Sequence, residues 1–169
     1  MQFNDTQLDA VQQFLQAGNL LAYPTEAVWG IGCDPFNETA VKQILAIKRR
    51  PIEKGMIVIT GDIAHIQPFL QPLPQEVVNT IATSWQSSDA QATTWLLPIP
   101  ATLQGKIPEW VTGGRDSLAI RVISHPMIAK LCNHIAHADN NNPFGFLVST
   151  SCNLSGLTPA TDFDSAHQY

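Results

Sequence analysis

Charge is scarce in these 169 residues. Asp, Glu, Lys and Arg make up 14% of the chain and hydrophobic residues 44%. A disordered segment needs the opposite balance, so the composition is that of a globular protein with a sizeable core. Positive charge is scarcest: nine Lys and Arg stand against fourteen Asp and Glu, a net charge of −5. That argues against a protein that simply coats nucleic acid. Cysteine is sparse and odd in number. Cys33, Cys132 and Cys152 form no CxxC pair. They read as free thiols of a reducing cytoplasm, not as disulfides or zinc ligands. No apolar run reaches the ~20 residues of a membrane span. No basic stretch leads into an apolar one near Met1, so no signal peptide is read. Both common nucleotide loops, GxGxxG and GxxxxGK[ST], are missing.

The few positive charges are concentrated. Four of the nine fall in the seven residues from Lys48 to Lys54. A basic helix end meets the negative end of the helix dipole, which is one reading. An anion site, above all for phosphate, is the other. The spacing predicts a helix capped by Asn37 that runs into Lys48 and stops before Pro51. On an extended exit Lys48 and Arg50 would point to one side and Arg49 to the other.

Along the chain, apolar spacing predicts a helix from Asp5 to Ala17, capped by Asn4 or Asp5 and closed by Gly18. Leu20–Tyr23 reads as a buried strand that delivers Pro24-Thr25-Glu26 to its end, where α/β folds place ligands. Gly30-Ile31-Gly32 suggests tight turns or a close ligand approach. Further strands are predicted at 56–59, 94–97, 118–122 and 144–149, and further helices at 74–85 and 125–135. Gln86–Thr93 and Asp139–Pro143 read as polar or turn-rich loops. Little structure is expected from Thr158 to Tyr169. Alternating helices and strands, some returning directly, imply one domain over 1–169 with an open, twisted, mixed α/β sheet.

Polar residues at three strand ends are candidates for a common site: Thr25, the Lys48/Arg50 pair, and the turn from Ser149 to Asn153. Hydroxyls and an amide beside two cations suit phosphate or carboxylate. Such turns also serve plain structure. Ser155 lacks the GxSxG setting of a hydrolase nucleophile. The five His residues lack partners for a metal set and read as surface residues, and Cys152 reads as a packed thiol.

Taken in order, these motifs resemble the YrdC/TsaC family. The residues are Ala22-Tyr23-Pro24-Thr25-Glu26, Gly30-Ile31-Gly32-Cys33-Asp34, Lys48-x-Arg50 (KxR), Ser117-Leu118-Ala119-Ile120-Arg121-Val122 with His125-Pro126, and Ser151-x-Asn153 (SxN). The match runs from about Leu20 to Pro159. The family is threonylcarbamoyl-AMP synthase, with an open α/β sheet around a large concave cavity. The resemblance implies that L-threonine, bicarbonate or CO2, and ATP give threonylcarbamoyl-adenylate and diphosphate. A separate tRNA threonylcarbamoyl transferase complex would then modify an adenosine beside the anticodon.

Carried over by position, Lys48 and Arg50 would hold the ATP phosphates. Ser151 and Asn153 would bind nucleotide phosphate or the carbamate end, closing on the nucleotide from the side opposite Lys48 and Arg50. Ser117 would lie on the nucleotide side. Thr25, Arg121 and Ser149 would place L-threonine. Mg2+ would ride on the phosphates and water, with no protein cage. The sequence departs from the pattern at Trp85, where the family's Trp-Pro-Gly-Pro-x-Thr is replaced by a longer segment without prolines. Cys152 stands where the family mostly has Ala. The chain also stops before a C-terminal segment that members often contribute near the nucleotide, so it reads as shortened or its adenosine as less enclosed. The alternative is a non-catalytic module of the same fold that binds nucleotide or, weakly, RNA.

Overall fold

The computed structural model describes residues 1–86, 92–138, 141–154 and 156–168. Short apolar runs bounded by turn-formers pair into one six-stranded sheet. The strands are β1 (Leu21–Tyr23), β2 (Gly30–Cys33), β3 (Ile57–Thr60), β4 (Trp95–Pro98), β5 (Ser117–Val122) and β6 (Leu147–Ser151). Their order is β1-β2-β6-β3-β5-β4. Only β3 and β5 run parallel; the other neighbours are antiparallel. The expected mixed α/β sheet is therefore present. The helices are α1 (Leu8–Gln16), α2 (Glu38–Ile47), α3 (Gln67–Leu70), α4 (Gln75–Gln86), α5 (Glu109–Thr112), α6 (Pro126–Ala138) and α7 (Phe163–His167).

The two sheet faces differ. Val58, Leu118, Ile120 and Val148 point to one face, with Val41 and Ile44 of α2, Phe69 of α3, Ile81 of α4 and Val111 of α5. That face is fully covered. On the other, Ile59, Leu147 and Tyr23 pack with Val11 and Leu15 of α1 and Leu131 and Ile135 of α6. This roof is incomplete. Ile57, one pleat along from Ile59, keeps 39% of its surface exposed, and Leu96 on β4 keeps 64%.

Several local readings hold. The Asn37 side chain accepts a hydrogen bond from the Ala40 N–H at 3.1 Å and caps α2. Gly18, at φ 84°, closes α1: its N–H donates to Leu15 and that of Asn19 to Phe14. This is the Schellman pattern. The three cysteines are free and buried.

Others need correction. Asn4 and Asp5 do not cap α1. The Asn4 side chain accepts from the Thr6 N–H, an Asx turn, and α1 begins only at Leu8. Gly30-Ile31-Gly32 is strand, not turn. A Cβ on Gly32 would stand 2.1 Å from the Val148 carbonyl and 2.8 Å from the Tyr23 hydroxyl, so glycine there admits the Tyr23 ring. The tail expected to be irregular carries α7. It is held by a reciprocal cap of Asp162 and Ser165 and by Phe163 edge-on to Trp29, with centroids 5.8 Å apart. The expected loops at 86–93 and 139–143, and Ser155, fall partly or wholly outside the described residues.

Candidate active site

The register brings the candidate residues onto one face. Ile57 pairs with both Ser149 and Ala119, and paired residues point the same way. Alternation then puts Ser149 and Ser151 of β6 on the half-roofed face with Ser117 and Arg121 of β5. Because β6 runs against β3, and β5 runs with it, the end of β6 meets the starts of β3 and β5. Ser117, Ser151 and the loop entering β3 share that end. Arg121 lies four residues further along β5, roughly 13 Å at strand rise.

Lys48 reaches this end from α2. Its Nζ donates to the Ser151 carbonyl at 2.9 Å, the Asn153 carbonyl at 2.7 Å and Asn153 Oδ1 at 2.9 Å. The KxR lysine and the SxN turn therefore touch each other. They do not face one another across a nucleotide as expected. Asn153 also donates to the Leu154 and Leu157 carbonyls, which fixes the turn. Burial lowers the Lys48 pKa from its ordinary value.

The extended exit from α2 is also overturned. Lys48 stays helical, Arg49 takes φ 46°, and the N–H groups of Arg49 and Arg50 return to the Ala46 and Leu45 carbonyls. This is the closure made by Gly18 in α1, with an arginine in the left-handed position. Arg50 consequently does not lie beside Lys48 on one side of an extended strand. Its Nε donates to the Gly55 carbonyl at 2.9 Å and its Nη2 to that of Lys54 at 3.2 Å. Arg115, which sequence reading passed over, donates to the same Lys54 carbonyl at 3.0 Å. Two guanidiniums thus meet at the loop entering β3. Among the described residues, no carboxylate pairs with either.

The remaining candidates form a second group. Thr25 commits its hydroxyl proton to the Val28 carbonyl at 2.6 Å and accepts from the Ala27 N–H at 3.3 Å. It shapes the turn after β1. Ser149 is buried. The Tyr23 hydroxyl, pushed far above its ordinary pKa by burial, donates to the Val148 carbonyl at 3.5 Å and feels the Arg121 charge. Arg121 Nε lies 3.7 Å from Glu26 Oε1, and the two side chains are 16% and 22% exposed. Sequence reading quoted Glu26 but gave it no role.

The polar residues gather on the open half of a sheet face, not in an enclosed hole. A cavity of about 730 Å³ lies beside it, lined chiefly by apolar residues such as Phe3, Phe14, Met127 and Phe163. It takes in Tyr23 and Pro24 but none of the predicted site residues. Among the described residues, no group of three or more His, Cys, Asp or Glu side chains lies together as a metal site. None of their helices is long and apolar enough to cross a membrane.

The family model for Sua5/YciO/YrdC domains, described as telomere recombination, matches residues 13–169. This chain belongs to that family. It is 51% identical over 161 residues to a threonylcarbamoyl-AMP synthase of Psychrobacter cryohalolentis, covering 92% of this chain and 74% of the relative. An Acinetobacter baumannii protein of the same name is 44% identical over 166 residues, covering 97% and 82%. Among solved structures, the L-threonine complex of P. abyssi Sua5 superposes with a TM-score of 0.75 at 24% identity, covering 99% of this chain and 45% of that one. E. coli YciO gives 0.71 at 15% identity, covering 99% and 73%. At these identities the structural likeness establishes the fold.

Proposed function

We propose that this family member is an enzyme that makes L-threonylcarbamoyladenylate from L-threonine, bicarbonate or CO2, and ATP, releasing diphosphate. Relatives at 44–51% identity carry the name of that activity. The observation that carries the reading is the contact of Lys48 with the Ser151–Asn153 turn at the open sheet end. It joins the two motifs of the family at one place.

The arrangement offers positioning and charge rather than a nucleophile. The neutral amine of threonine adds to CO2 and loses a proton, or condenses with bicarbonate and loses water; the resulting carbamate oxygen attacks the α-phosphate and the bond to diphosphate breaks. Arg50, with Lys48 behind the turn, stabilises charge as diphosphate leaves. Ser117 and Ser151 offer directional bonds to the nucleotide, beside the turn that Asn153 holds in shape. Arg121 takes the threonine carboxylate, while Ser149 and the turn built by Thr25 shape the amino acid end. Mg2+ travels with the phosphates and water, and no residue of this chain is assigned to it. The adenylate is consumed by a separate transferase complex that modifies tRNA.

The test is product analysis. An AMP-containing adduct and diphosphate should form only when threonine, bicarbonate and ATP are all supplied. Diphosphate release without threonine, or release with no adduct, overturns the reading.

A further inference from the structure

A free α-amino acid carries a cation and an anion on one carbon. A site that reads it as an amino acid needs the complementary pair. Arg121 supplies only the half that holds the carboxylate. The structure supplies a second half at Glu26. Its carboxylate lies 3.7 Å from Arg121 Nε, close enough for charge attraction and too long for a hydrogen bond. The Nε is buried and has no hydrogen-bond partner. An orphaned buried donor of this kind is unfavourable unless something completes it. The buried Tyr23 hydroxyl feels the charge of the same arginine. Arg121 is thus sheltered, while Glu26 stands at the exposed turn beside it; the pair is loosely apposed and incompletely bonded, as a receptor for a zwitterion would be before its ligand arrives.

We propose that Glu26 is a specificity-determining residue that binds the α-ammonium of the amino acid substrate, while Arg121 binds its carboxylate. This rests on the assignment of threonine given above and adds how the site recognises an α-amino acid. Glu26 comes from the turn after β1 and Arg121 from β5, so the recognising pair exists only in the folded sheet. The turn that presents Glu26 is fixed by the preceding Thr25 hydroxyl.

The experiment is calorimetric titration with L-threonine and with 2,3-dihydroxybutanoate, in which a hydroxyl replaces the amine. The wild-type protein should bind threonine about ten- to a hundredfold more tightly than the analogue, the range of one charge-assisted contact. Glu26→Gln should lose a similar factor for threonine. It should bind the analogue as well as, or better than, the wild type, because Arg121 is released from a competing carboxylate. Glu26→Asp should recover part of the threonine affinity. If Glu26 merely braced Arg121, both ligands would weaken together in Glu26→Gln, and that result overturns the proposal. Equal wild-type affinity for the two ligands overturns it without any variant. A wild-type protein that binds neither ligand removes the threonine assignment itself, and the proposal with it.

Discussion

Replacing Lys48 by Met and Asn153 by Ala, singly and together, tests the contact between the two motifs without any substrate. Methionine keeps the apolar stem and removes all three donor bonds. A charge-assisted bond such as Nζ to Oδ1 is worth roughly 1.5–3 kcal/mol when buried. Lys48 is half-buried, so solvent screening brings this to about 1 kcal/mol. Water replaces part of what the Ser151 and Asn153 carbonyls lose, and Lys48→Met should cost about 2 kcal/mol. Asn153→Ala loses the same shared bond plus its two bonds to the Leu154 and Leu157 carbonyls. Its cost should be about 2–3 kcal/mol. The shared bond can be lost only once. The double variant should therefore be about 1 kcal/mol more stable than the sum of the single losses predicts. In urea, at a slope near 2 kcal/mol per M, that is roughly 0.5 M in midpoint. A coupling below about 0.3 kcal/mol, the level of distant sites, would refute the claim that this contact ties α2 to the end of β6.

Two further predictions concern local backbone and pH. Arg49→Gly should raise stability by roughly 0.5–1 kcal/mol, about 1–3 °C in melting temperature, because glycine adopts the positive φ without strain. Arg49→Ala should give no such gain, and equal stabilisation by alanine would show that φ is not the cause. Asp162 has its pKa lowered by the Ser165 N–H and hydroxyl. A folded pKa below the unfolded one contributes stability above the unfolded value, and that stability is lost as pH falls through the folded value. The α7 cap should therefore loosen in the acid range, read out by Trp29 fluorescence through its contact with Phe163. Asp162→Asn should abolish that step, and an unchanged acid transition in this variant would count against the cap.

What the sequence disclosed was chiefly local. The Asn37 cap, the closing Gly18 and the alternating runs of β3 and β5 each announce themselves within a few residues. The motifs also placed Lys48, Ser151 and Asn153 in one neighbourhood. The failures have non-local causes. The exit from α2 turns on the backbone of Arg49, a residue type that rarely takes positive φ. Gly30 and Gly32 look like turn residues until the Tyr23 ring and the Val148 carbonyl are seen against them. The short α7 is held by Trp29, far away in the chain. The Glu26–Arg121 pair joins a loop to a strand that no spacing rule connects.

The place of β6 in the sheet has a consequence for biosynthesis. Among the described strands it is the last made, yet it lies between β2 and β3 and holds the two parts of the sheet together. Until Ser151 has left the ribosome, β1–β2 and β3–β5–β4 are separate pieces, each with an unpaired inner edge. At about 5–20 residues per second, β3 waits on the order of 5–20 s for its partner. Such edges invite wrong pairing, and long-range closure of this kind is slow. The strand that ends the wait is the one that carries Ser149 and Ser151. A nascent chain therefore gains its sheet and its candidate site in the same event, and a chain halted before that point has neither.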